Sequence, residues 1–173
     1  MKKRHFSSLY TFLLCNHNKE TTKELYTPLS KEKSMDKGEM LLVINDTILN
    51  FKKDIQKPFV FFLSKERFSK YLDMMQLEKH INKTPCFVAE MKGGDIIYYC
   101  EEIINCLTKD FSKEKTKLFL QAITLHELLH MRNRIHVFTG EEAVFSEKLV
   151  DKELKAFYPR HHNLLLSITQ SFS

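Results

Sequence analysis

The chain has 173 residues, enough for one domain with at most a short appendage. Hydrophobic residues at 43% and charged residues at 28% allow a core and a solvated surface, while four glycines and four prolines argue against a hairpin-rich β-sandwich. A net charge of +5, from 27 basic and 22 acidic residues with no basic stripe or aromatic–basic stacking motif, makes nucleic acid an unexpected partner.

At the N-terminus Lys2, Lys3 and Arg4 precede an apolar stretch from Phe6 to Cys15. A small-residue cleavage site is missing there, so a secretory signal is not expected. Phe6, Leu9, Tyr10, Leu13 and Leu14 follow helical spacing, which predicts a docked amphipathic helix. Residues 16–39 are polar and lysine-rich, with Pro28, Ser30 and Ser34 interrupting any period. Residues 1–39 therefore read as an N-terminal helix and polar arm, and 40–173 as a single domain. Met40 to Ile44 reads as a strand ended by Asn45 and Asp46, and Pro58 to Leu63 as a buried strand. Ser64 opens a helix to about Glu78 whose stripe is Phe68, Tyr71, Leu72 and Met75.

Cys86–Glu90 and Asp95–Cys100 flank Gly93 and Gly94, which predicts a hairpin. Glu101 to Leu107 reads as a short helix. Ser112 is placed to cap a long helix from Lys113 to Arg132, with Leu118, Ala122, Leu125 and Leu129 as its core stripe. A last helix is expected from Gly140 to Phe157. Strands followed by helices suggest an α+β fold: a small mixed sheet with two long C-terminal helices. No apolar run is long enough to span a membrane, so no transmembrane segment is expected. The four cysteines, Cys15, Cys86, Cys100 and Cys106, form no C-x-x-C pair, and their low density favours a reducing, cytoplasmic setting.

The chemistry concentrates in His126-Glu127-Leu128-Leu129-His130. Histidines at i and i+4 share one helix face, so both imidazoles can reach one tetrahedral Zn²⁺. Zinc draws the pKa of a bound water towards neutrality, and Glu127 beside it can act as general base. That is the chemistry of H-E-x-x-H metallopeptidases.

A catalytic zinc usually takes a third protein ligand and keeps one position open. His136 has the spacing of the extended metzincin motif, with Asn133 where that motif has Gly. Asn tolerates the left-handed turn required there, but no methionine follows Met131 to form that family's Met-turn. Glu141, Glu142 and Glu147 compete from the last helix. Thr139 and Glu142 fit a capping box, and Glu141 suits the positive end of the helix dipole. Glu147 lies mid-helix among Ala143, Val144, Val150, Asp151 and Leu154, where an acid is costly unless paired or metal-bound. Lys148, Lys152 and Lys155 mark the solvated face. Glu147 is the better-placed ligand, with His136, Glu141 and Glu142 as alternatives, and Asp151 is placed to orient a ligand histidine.

The H-E-L-L-H of 126–130 and the E-K-L-V-D of 147–151 together resemble the gluzincin clan of zinc peptidases, particularly its minimal soluble forms. The resemblance spans about residues 85–157 and leaves 1–84 without a counterpart, and the spacing from His130 to Glu147 is shorter than in larger members. It implies a zincin-like domain with His126, His130 and Glu147 as zinc ligands, Glu127 as base and Asp151 supporting a ligand. It also implies that the hairpin carries an edge strand on which a peptide substrate binds by strand addition. Gluzincins need an oxyanion donor, and Tyr158, His161 and His162 are candidates beside the reading of that segment as a solvated loop. The expected partner is thus a peptide or protein substrate. Two other readings are a zinc-site module that binds a partner with little turnover, and a zymogen whose residues 1–39 cover the cleft.

Overall fold

The computed structural model describes residues 6–8, 35–51, 55–74, 84–134 and 140–171. Ten elements follow in chain order: β1 (Phe6–Ser8), α1 (Lys37–Asn50), β2 (Phe59–Leu63), α2 (Lys65–Met74), β3 (Cys86–Met91), β4 (Gly94–Cys100), α3 (Glu101–Leu107), α4 (Lys113–Asn133), α5 (Gly140–Phe157) and α6 (Pro159–Ser171). The fold is α+β, as expected, with a small mixed sheet in the order β1-β3-β4-β2.

The β3–β4 hairpin centres the sheet, with Cys86 opposite Tyr99 and Met91 opposite Gly94. Its turn needs glycine at Gly94, whose φ of 129° few side-chain-bearing residues adopt. Alternation along these strands sorts side chains into two layers. Cys86, Val88, Ile97 and Tyr99 join the main core with α1 and α4. Phe87, Ala89, Tyr98 and Cys100 face the other way and pack with Phe68 and Leu72 of α2. Helices α5 and α6 pack against α4 and against each other. Helix α4 is therefore held between the sheet and two further helices.

Three expectations about local structure before α2 need correction. Met40–Ile44 is helical within α1, not a strand. Asp36 and Glu39 form a capping box there: the Asp36 side chain accepts from the Glu39 N–H and the Glu39 side chain from the Asp36 N–H. That cap starts a helix through the apolar run and overrides its strand-like composition. Phe6–Ser8, predicted helical, is a strand paired antiparallel with β3. An open sheet edge offers main-chain partners that helical spacing in the sequence does not anticipate. The remainder of the polar arm up to residue 34 lies outside the described residues. Finally, β2 forms as expected but pairs parallel with β4 at a sheet edge, leaving Phe59 and Phe61 exposed.

From α2 to α5 the elements follow the sequence closely. Ser112 accepts from the Lys115 N–H and caps α4. Helix α2 begins as predicted and is described to Met74, with Phe68 and Leu72 buried. The Tyr-Pro-Arg-His-His stretch, weighed as a loop, instead opens α6, with Pro159 at its first position. Proline suits that place because its missing N–H would have no helical partner there. Among the described residues no helix is long and apolar enough to cross a membrane.

Candidate metal centre

Helix α4 brings His126 and His130 to one face, their Nε2 atoms 3.0 Å apart. Helix α5 meets that face with Glu147, whose Oε2 lies 3.3 Å from His126 Nε2 and whose Oε1 lies 3.2 Å from His130 Nε2. The two imidazoles are fully buried and Glu147 is 3% exposed, so three ligand-type atoms converge away from bulk water. Ligands about 2.0–2.2 Å from a tetrahedral metal stand roughly 3.3 Å from one another, and this trio has that spacing. Two imidazoles and a carboxylate also form a common donor set for zinc. The residues present fit a metal ion.

Packing explains why the trio meets. Val150 and Leu154 are buried on the inner side of α5 with Glu147, whereas Lys148, Lys152 and Lys155 lie on its outer side. At the C-terminal end of α4, Arg132 pairs with Glu153, and Asn133 Nδ2 donates to Glu153 Oε2 over 2.8 Å. These contacts fix the registry of the two helices that carry the trio. The left-handed residue that ends α4 is Arg134, with φ 50°, rather than Asn133, which stays helical. The turn expected of an extended metzincin motif thus falls one residue later. His136 itself, and the side chains of Glu141 and Glu142, lie outside the described residues.

Burial and charge act on two members of the trio. Burial lowers the pKa of His126, with the Glu147 carboxylate opposing that shift. For Glu147, burial raises the carboxyl pKa, but the charges and hydrogen bonds of His130 and His126 outweigh it and bring it to about 2. A neutral imidazole and an ionised carboxylate are the forms that coordinate cations. Ser146 Oγ lies 3.2 Å from His130 Nδ1. A tautomer with the proton on Nδ1, donated to Ser146, leaves the Nε2 lone pair facing the trio.

Glu127, the expected base and the neighbour of His126 in sequence, is fully buried. The Cys86 S–H donates to its Oε1 over 3.7 Å. Burial, followed by the charge of Glu127, pushes the Cys86 thiol pKa well up, so it remains a donor. Sequence reasoning assigned neither Cys86 nor Ser146 to the site. Ser146 precedes Glu147 and could have been proposed from that adjacency, but Cys86 reaches Glu127 only through the fold.

Asp151, expected to orient a histidine of the trio, has its Oδ1 2.7 Å from His162 Nε2, and its charge acts on His126. His162 is 3% exposed. Of the three oxyanion-donor candidates, His162 meets Asp151, the Tyr158 ring packs against His161, and His161 Nε2 lies 3.4 Å from Gln121 Oε1. No protein-family model matches the chain, and neither a curated protein nor a solved structure matches it.

Proposed function

We propose that this chain is a zinc-dependent metallopeptidase of gluzincin type, with His126, His130 and Glu147 holding the metal. The convergence of these three buried donor atoms carries the reading. Zinc bound there would lower the pKa of a water and polarise a substrate carbonyl. Glu127 follows His126 in sequence and would take the proton of the attacking water at a carboxylate oxygen, then return it to the leaving amine. The Cys86 S–H fixes Glu127 Oε1, which favours Oε2 as the proton acceptor. Ser146 would hold the imidazole of His130 in its coordinating tautomer. The substrate would be a peptide or protein. The free thiols Cys86, Cys100 and Cys106 fit a reducing, cytoplasmic setting.

A second reading, a zinc-containing module that docks a partner with little turnover, is favoured by the complete burial of Glu127. Zinc-loaded wild type and Glu127→Gln, compared on a library of quenched fluorogenic peptides, separate the two. The peptidase reading expects equal zinc content and cleavage only by wild type. Equal inertness of both proteins would favour the docking module.

A further inference from the structure

We propose that β1 is an internal occupant of the peptide-binding edge, which makes the chain latent until that strand is displaced. The inference rests on the metallopeptidase reading for what the edge serves, and on the sheet itself for its occupation. Among the described residues, Phe6–Ser8 is the one segment paired to the outer side of β3. Its register is antiparallel: Phe6 faces Ala89, Ser7 faces Val88 and Ser8 faces Phe87. The chain therefore runs towards the Cys86 end of β3, where Cys86 Sγ lies 3.7 Å from Glu127 Oε1. β1 also contacts α4, the helix that carries both histidines and Glu127.

An extended peptide added to this edge in the same sense would be delivered to the base by main-chain hydrogen bonds. β1 takes up those same donors and acceptors. Glu127 and both histidines are also buried, so a base that must meet a peptide bond is closed off here. A three-residue ladder is weak by itself, yet attachment to the chain gives it an effective concentration of order millimolar. It therefore excludes free peptides of ordinary affinity while remaining displaceable.

Two full-length variants, Ser7→Pro and Ser8→Pro, test this in parallel with wild type. Inward N–H groups alternate along an antiparallel strand, so one of the two prolines removes a ladder donor whichever the phase. The readouts are amide hydrogen exchange at Phe87, Val88 and Ala89, anisotropy of a labelled synthetic copy of residues 1–12, and zinc-dependent cleavage of quenched peptides. In at least one variant, exchange at β3 should accelerate roughly tenfold, the added peptide should bind where it does not bind wild type, and cleavage should rise roughly tenfold. Unchanged exchange and peptide binding in both folded variants overturns the proposal. Cleavage by wild type that neither proline raises overturns latency while leaving the peptidase reading intact. Faster exchange and new peptide binding without cleavage supports the occupied edge and overturns the peptidase reading.

Discussion

Two histidine–carboxylate assemblies share helix α5, one fully buried and one partly, and they are built for different ends. At Glu147, two imidazole nitrogens and a carboxylate point at a common centre, with separations of 3.0–3.3 Å. One turn further on, Asp151 makes a single 2.7 Å hydrogen bond to His162 and so ties α6 to α5. Residue types are similar in both, though the Glu147 side chain is 3% exposed and that of Asp151 27%. Convergence is the difference: a pair can satisfy itself with one shared proton, whereas three donors crowded together leave lone pairs facing one another. A cation at the centre relieves that crowding. A histidine beside an acid is therefore weak evidence for metal, and the third donor decides.

Removing a converging donor should break the comparison most sharply. Glu147→Ala or His130→Ala is expected to weaken zinc binding about a thousandfold, read by chelator competition. Retained nanomolar zinc in either variant would contradict the assignment. Next comes Glu127→Gln, which should keep full zinc content and lose cleavage by about 10²–10⁴-fold.

Acid should act on the first assembly in a defined direction. His126 is depressed below 6.5 in the folded chain, and Glu147 is depressed from 4.5 to about 2. In both cases the unfolded chain binds the proton first, so falling pH favours unfolding. The metal-free protein should lose stability as pH drops below 6.5, and lose more as it falls through 4.5 towards 2. Melts of Glu147→Gln should lack the lower part of that dependence.

The second assembly should behave as a fastener. Asp151→Asn or His162→Ala is expected to cost about 1–3 kcal/mol of stability. Zinc affinity should move by about tenfold at most, because neither residue meets the metal. A thousandfold loss of zinc on Asp151→Asn would erase the distinction between the assemblies. The smallest effect belongs to Ser112→Ala, which removes the α4 cap at a cost of about 1 kcal/mol while leaving zinc affinity unchanged.

The same contrast separates what the sequence made legible from what it did not. His126 and His130 are readable because helical spacing alone places them together, and Glu147 because an acid among Val150 and Leu154 demands a reason. The Gly93-Gly94 hairpin and the Ser112 cap are equally local signals. The Asp151–His162 bond was not legible because His162 sits on a helix that the sequence weighed as a loop. The signals for that helix were present in Pro159 and in the buried Leu164, Leu165 and Ile168. Helix α1 was missed because Met40–Ile44 looks like a strand until Asp36 and Glu39 are recognised as a cap. The pairing of Phe6–Ser8 depends on an edge formed by residues some 80 positions later, which no local period encodes.

The most direct test of the metal centre is zinc K-edge X-ray absorption on the stoichiometrically loaded protein, wild type and Glu147→Ala. Two imidazole nitrogens and carboxylate oxygen at about 2.0–2.2 Å, with the protein oxygen lost on Glu147→Ala, is the predicted result. Three imidazoles in both proteins, or no stable zinc in wild type, would contradict it.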